Sequence, residues 1–350
     1  MIHLFEQDPR YKIDPTFEEN HGSFSVINFG LNNALKKINS YSDADQAEWV
    51  GNASSLDLNF NYKDKKSFVI TVWETINTLT YYHIMTAKKL TDETKKPIFG
   101  MSDQITNLYL KYGIPCRTLT CGCDTDFYHQ TKPKNQKFTF LHINSSNIRS
   151  GLDMTLKAFS NAFQNNPNVQ LIVKDTNENP ILLQRINEFK QKGADITYIT
   201  SRWTKNQVRD LYSESHVCLN LYRISSWGFP LAECSACNCL SLTGDFSPAN
   251  ELNTNEYAVL LKPNGIVDIN KHIDYFTNYW GFLNCYPNFP YPEEPLFYNF
   301  DINEYTEKLK EIYLDWDSKY EKIDKRTPIV NKFKWENTAK QLTQYLYEKI

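Results

Sequence analysis

From Lys137 onward the chain alternates short, nearly all-apolar runs with stretches of helical spacing, and this alternation limits what it can fold into. The runs are FTFLHI (138–143), VQLIV (169–173), ITYIT (196–200), HVCLNL (216–221), CLSLT (239–243) and EYAVLL (256–261). Strands this apolar must be covered on both faces, and strands separated by helices can run parallel. The intervening helices carry their own marks. Leu152, Leu156, Phe159 and Phe163 share one helical face. ILLQRINEFKQKG (181–193) ends at Gly193, and Thr204 with Gln207 three residues on forms a capping-box pattern. FPLAECSAC (229–237) reads as a helix directly after a glycine. With right-handed crossovers this is a doubly wound α/β domain, which binds ligands at the carboxyl ends of its strands.

The first half follows the same alternation less regularly. MIHLF, SFVITVW (67–73), TKKPIFG (94–100) and CRTLT (116–120) read as strands. SVINFGLNNALKKI (25–38), INTLTYYHIMTAKKL (76–90) and DQITNLYLKYG (103–113) read as helices. Two Rossmann-like domains are therefore expected, one over 1–130 and one over 137–325. The polar stretch YHQTKPKNQK (128–137) would join them. An amphipathic helix within 333–350 is expected to pack back on the N-terminal domain. NCYPNFPYPEEPLFYNF (284–300) is expected to be a loop.

Bulk properties exclude several classes. Among 350 residues the formal net charge is -3, so no basic excess points to a nucleic-acid partner. No run approaches a transmembrane length, and MIHLFEQDPR lacks the basic start and long apolar core of a signal peptide. A cytoplasmic setting with reduced thiols is expected for the eight cysteines. Cys234, Cys237 and Cys239 lack a second ligand pair at zinc spacing, so they read as small packed thiols. The many aromatics read as core packing, with sugar stacking as the alternative.

Two loops at strand ends carry the candidate chemistry. After HVCLNL comes YRISSWGFPLAEC, in which a strand gives way to a turn with Gly228 and then a helix. Such a turn presents main-chain N–H groups and a positive helix end to an anion. Glu233, about one turn into the helix, can accept both hydroxyls of a ribose, or can simply face solvent. After FTFLHI comes NSSNIRSGLDMTLKAF, with Arg149 ahead of Gly151. A guanidinium there can grip a diphosphate, or can be a surface charge. In the first half, Trp73 and Glu74 close a strand, and Gly22-Ser23 forms a turn. Glu74 can hydrogen-bond an acceptor hydroxyl, or be a plain strand-end acid.

These residues together resemble the family 4 GT-B glycosyltransferases. The family's Arg-Lys-Gly loop corresponds to Arg149-Ser150-Gly151. Its Glu-Gly-Phe-Gly-Leu-Pro-x-x-Glu run corresponds to Ser225-Ser226-Trp227-Gly228-Phe229-Pro230-Leu231-Ala232-Glu233. Its Gly-Val-Asp-Thr-x-x-Phe corresponds to Gly122-Cys123-Asp124-Thr125-Asp126-Phe127-Tyr128. The resemblance runs from about residue 97 to 262. It implies a GT-B fold of two Rossmann-like domains facing a cleft. It also implies retaining transfer of a sugar from a nucleoside-diphosphate sugar to a glycan, lipid-linked or protein hydroxyl, with no metal or other cofactor. Glu233 would hold the donor ribose. Arg149 and the Gly228, Phe229, Pro230 and Leu231 backbone would neutralise the diphosphate. Ser150, Gly151 and Ser225 would line the donor site, and Gly22, Ser23, Trp73 and Glu74 the acceptor side. Two positions depart from the family: Ser225 stands where it has its first glutamate, and Ser150 where it has lysine. Arg223 or Lys174 is expected to restore the missing positive charge. The departures leave open a non-catalytic nucleotide-sugar binder or inactive partner subunit. A third reading, an epimerase, lacks the carboxylates that its acid–base chemistry would need near Ser225.

Overall fold

The computed structural model describes residues 1–5, 23–54, 65–93, 95–143, 148–175, 179–268 and 291–348. The chain divides into two compact units. The first comprises Met1–Asp124, Phe289–Glu294 and Asn331–Ile350, and the second Thr125–Asn288 and Pro295–Val330. Both are α/β.

The first unit is built on a five-stranded parallel sheet in sequential order. Its strands are β1 (Ile2–Leu4), β2 (Trp49–Ser54), β3 (Lys66–Thr71), β4 (Ile98–Gly100) and β5 (Arg117–Thr118). Helices α1 (Ser23–Lys37), α2 (Tyr81–Asp92) and α3 (Asp103–Lys111) connect them. β2 is not marked by the sequence, because WVGNAS is neither continuously apolar nor alternating. Tertiary partners specify it instead. Asn28 of α1 accepts from the Ala53 N–H at 3.0 Å and donates to Asn52 Oδ1 at 3.1 Å. Gly51 leaves the space that the Phe68 ring fills. α2 begins five residues later than the expected span. Both the Trp73 indole, at 2.7 Å, and the Thr75 hydroxyl, at 2.5 Å, bond the Thr78 carbonyl, and Thr80 caps the helix.

The second unit carries a six-stranded parallel sheet. Its strands are β6 (Phe138–Ile143), β7 (Val169–Lys174), β8 (Ile196–Ile199), β9 (Val217–Asn220), β10 (Leu240–Gly244) and β11 (Ala258–Leu261). They lie in the order β11-β10-β9-β6-β7-β8. Helices α4 (Leu152–Phe163), α5 (Pro180–Gln191), α6 (Lys205–Glu214), α7 (Phe229–Ala236) and α8 (Ala249–Leu252) follow β6 to β10 in turn, as the apolar runs predict. The capping box at Thr204 and Gln207 is formed on both sides. The segment Leu296–Asn299, expected to be loop, is a strand (β13). It pairs antiparallel with β12 (Gly265–Asp268), and its Phe297 is buried. The rest of the unit is α9 (Ile302–Leu314), a π-helical turn at Trp316–Tyr320, and the start of α10 (Thr327–Lys332). Phe138, Phe140, Phe159, Phe163, Tyr313 and Trp316 form a chain of ring contacts 5.1–6.0 Å apart, so many of the aromatics are core.

The final helix, α11 (Trp335–Tyr347), belongs to the first unit and packs on α1. Trp335 lies against Gly30 of α1 and Gly122, where any Cβ would overlap its indole or backbone. The stretch 128–137 belongs to the second unit. Its Thr131 N–H donates to Ser213 Oγ at 3.1 Å, and Lys134 donates to the Ser215 carbonyl at 2.6 Å.

Candidate functional site

In the second unit the chain runs outward through β6, β7 and β8, then returns to place β9 on the other side of β6 and continues outward through β10 and β11. The boundary between β6 and β9 is thus the topological switch point, where the loops leaving adjacent parallel strands diverge and open a crevice. Those two loops are the ones that hold Arg149 and Gly228.

After β6 the chain makes a 3-10 turn, Ile148–Ser150, and enters α4 through Gly151 at φ 70°. Arg149 is half-buried and Ser150 buried. The Arg149 carbonyl accepts from the Arg223 N–H at 2.9 Å, which joins this turn to the loop after β9. Gly151 packs so closely there that a Cβ would strike the Leu221 carbonyl oxygen. After β9, Gly228 at φ 93° caps α7 with no side-chain hydrogen bond. Ser225, Phe229 and Pro230 are half-buried, Leu231 fully buried. The four-residue amide cradle expected here is smaller than the sequence suggests. Pro230 has no N–H, and the Leu231 N–H bonds the Gly228 carbonyl at 2.9 Å. Pro230 and Leu231 therefore offer no amide to an anion.

Glu233 lies in the second turn of α7. Burial pushes its carboxyl up to about 7, against hydrogen bonds from Tyr128 and Tyr212 and the charge of Lys205. Its side chain is only partly covered, so the shift reflects where the carboxyl ends rather than burial of the whole residue. Tyr212 donates to Oε2 at 3.2 Å. The buried Tyr222 phenol donates to Asn220 Oδ1 at 3.1 Å and lies within electrostatic reach of both loops. Burial raises its pKa first; among its neighbours Arg149 lowers it and Glu233 raises it. Arg149 and Glu233 thus act on one side chain between them.

Arg223 and Lys174 do not supply spare charge. Arg223 makes a two-pronged pair with Asp153 in the first turn of α4, both contacts at 2.6 Å, and both residues are largely buried. Lys174 is buried, donates to the Asp175 carbonyl at 2.5 Å and sits over the Trp203 ring. Cys218, Cys234, Cys237 and Cys239 form one buried cluster with Leu141 and Tyr212, and burial raises all four thiols. This is the packing role that their spacing suggests. Among the described residues no group of three or more His, Cys, Asp or Glu is arranged to hold a metal ion.

The acceptor-side residues lie in the first unit. Gly22 is outside the described residues, and Ser23 opens α1. β3 ends at Thr71, so Trp73 and Glu74 occupy the loop beyond it rather than the strand. Trp73 is 1% exposed, donates to Thr75 Oγ1 and the Thr78 carbonyl, and meets the His83 ring at a 60° tilt with centroids 4.3 Å apart. Its ring is core and offers no face to a sugar. Glu74 is half-buried. Sequence reasoning missed Tyr128, Tyr212, Asp153 and Arg326. Tyr128 closes one recognised motif and Asp153 follows another, but nothing in the sequence links Tyr212 or Arg326 to them.

The architecture defines a class, the GT-B fold of glycosyltransferases, and solved structures share it. A glycosyltransferase from Rickettsia africae is 13% identical with TM-score 0.61, over 94% of this chain and 85% of its own. Anabaena HepE, in complex with UDP and glucose, is 12% identical with TM-score 0.60, over 96% and 84%. TarM is 9% identical with TM-score 0.61, over 91% of this chain; the chain spans 58% of TarM's length. No curated protein matches in sequence. Within the class, residues 124–281 match the family described as Glycosyl transferases group 1, a span that includes Arg149, Gly228 and Glu233. No helix of the described residues is long and apolar enough to cross a membrane.

Proposed function

We propose that the chain transfers a sugar from a nucleoside-diphosphate sugar to a hydroxyl acceptor, with retention of configuration. The observation that carries this is the convergence of the Arg149 turn, the Gly228 cap and the Glu233 carboxyl at the switch point of the second sheet. As the glycosidic bond breaks, negative charge builds on the departing diphosphate oxygen. Fixed positive groups aimed there lower the barrier, and Arg149 supplies a guanidinium that can grip the diphosphate with two hydrogen bonds. The Gly228 and Phe229 amides add main-chain donors, while Pro230 and Leu231 shape the turn. Ser150, Gly151 and Ser225 line the same loops. With these groups in place, a divalent metal is dispensable. Glu233, ionised above about pH 7, accepts the two ribose hydroxyls of the nucleotide. On the acceptor side, Glu74 takes a hydrogen bond from the incoming hydroxyl. The acceptor belongs to the glycan, lipid-linked or protein classes.

The test is turnover of a panel of nucleotide sugars by the wild type, Arg149→Ala and Glu233→Ala. Loss of Arg149 is expected to lower kcat by about 10²–10³-fold, the cost of removing one donor to a developing oxyanion. Loss of Glu233 is expected chiefly to weaken donor binding. Normal turnover by both variants, each folded, would overturn the site. Nucleotide binding without transfer to any acceptor would overturn the activity.

A further inference from the structure

We infer that Tyr128 and Tyr212 orient the Glu233 carboxylate for the ribose, and that Arg326 holds Tyr128 where it can do so. This rests on the ribose-binding reading of Glu233.

Tyr212, near the end of α6, is 1% exposed and donates to Glu233 Oε2 at 3.2 Å. Tyr128 hydrogen-bonds the same carboxyl, and the two rings meet edge to face with centroids 6.3 Å apart. An ionised carboxylate only accepts, at about four lone-pair positions. Two phenols on the protein side fill part of that capacity and fix the carboxylate plane. The rest is left for a diol, and less side-chain freedom is lost on binding.

Arg326 sets the spacing of this group. Its Nη1 donates to the Tyr128 carbonyl at 2.7 Å and the Ala236 carbonyl at 2.6 Å, and its Nη2 to the Thr125 carbonyl at 2.8 Å. Ala236 is the last residue of α7, three beyond Glu233, and a cation is favoured at that helix end. One guanidinium therefore links the backbone that carries Tyr128 to the helix that carries Glu233.

The groups that act electrostatically with Glu233 are Tyr128, Lys205 and Tyr212 of α6, Tyr222 in the loop after β9, and the Cys218 and Cys237 thiols. Burial raises the Tyr212, Tyr222, Cys218 and Cys237 groups, so Lys205 is the cation among them. Removing a phenol donor destabilises the ionised carboxylate, and Glu233 then keeps its proton to a higher pH. A protonated acid donates to one ribose hydroxyl instead of accepting from both, so the grip on the diol is lost near pH 7 and recovered in base.

The experiment is titration calorimetry of the intact protein with UDP, GDP and their 2′-deoxy counterparts, at pH 7 and pH 9. The wild type is expected to prefer whichever ribonucleotide it binds over its deoxy form. Tyr212→Phe and Tyr128→Phe keep the rings and are each expected to cut that preference at pH 7 by about tenfold, with recovery at pH 9. Arg326→Lys cannot reproduce a planar fork and is expected to lower the preference at both pH values. A change in packing alone would weaken ribo- and deoxyribonucleotides equally. If Glu233→Ala abolishes the preference while both Phe variants keep the wild-type ratio and pH profile, the orienting role is wrong and the ribose reading stands. If Glu233→Ala keeps the wild-type preference, the ribose reading itself falls. Should Tyr212→Phe not fold, the half-buried Tyr128→Phe decides the matter alone.

Discussion

Glu233, for which we propose the ribose-binding role, also carries a titration that makes stability depend on pH. Burial holds its folded-state pKa near 7, above the ordinary 4.5. Between those values the folded protein keeps a proton that the unfolded chain has released. The contribution of Glu233 to stability is therefore fully present below about pH 4.5 and is lost as pH rises through about 7. Glu233→Gln removes this titration. The stability difference between wild type and Glu233→Gln is expected to change by up to about 3 kcal/mol from pH 4.5 to pH 8, with the wild type losing ground in base. Urea denaturation of both proteins across that range measures it, and parallel pH profiles would show that the carboxyl is not buried as described. At this scale the sequence made the motif residues legible but not their partners. Glu233 and Arg149 stand in recognisable runs. The Asp153–Arg223 pair joins residues 70 positions apart, and Tyr212 meets Glu233 across 21. Such pairings depend on strand order, which no local pattern encodes. Reading Arg223 as spare positive charge failed for that reason, since a buried guanidinium is held by the carboxylate that the fold brings to it.

Elements were most legible where burial is two-sided. The runs from FTFLHI to EYAVLL could be read as strands because a parallel sheet covered by helices demands continuous apolarity. WVGNAS and LFYN escaped that test. The first owes its strand to the Asn28 side chain and the Phe68 ring, and the second to antiparallel pairing with residues 265–268. The two glycine caps can be ranked by what surrounds them. Gly151 and Gly228 both lie at positive φ, where an alanine costs roughly 1–2 kcal/mol. At Gly228 the nearest atom to a new Cβ is the flexible Leu231 Cδ1, 3.0 Å away, which can yield. At Gly151 it is the Leu221 carbonyl oxygen, part of a backbone fixed between β9 and the following loop. Gly151→Ala is therefore expected to lose about 2–4 kcal/mol and Gly228→Ala about half of that. Denaturant midpoints compare them directly, and equal losses would mean that the loop after β9 moves aside freely.

For the whole molecule, the order of residues along the chain differs from their order in space. The last twenty residues, together with 289–294, complete the first unit, while 295–330 complete the second. Trp335 is the clearest sign of this. Its indole is 7% exposed and lies against Gly30 and Gly122, two positions left without side chains to admit it. The amphipathic pattern of 333–350 announced a helix, but only these glycines, far off in sequence, provide its seat. Trp335→Ala opens a cavity at that seat and is expected to cost about 3–5 kcal/mol. A chain of two units need not unfold in one step, so the loss should appear in the first unit's calorimetric transition alone. On the proposed reading a nucleoside diphosphate acts on the other. Binding the folded second unit and not the unfolded chain, it is expected to raise that unit's transition by mass action, by about 2.7 kcal/mol at a hundredfold excess over Kd. Scanning calorimetry of wild type and Trp335→Ala, each with and without UDP or GDP, separates the two effects. The variant is expected to lower one transition and the nucleotide to raise the other, with the nucleotide increment unchanged by the substitution. An increment that vanished with Trp335 would mean that the donor site requires the first unit intact, and residues 125–288 with 295–330 would not suffice to hold a nucleotide.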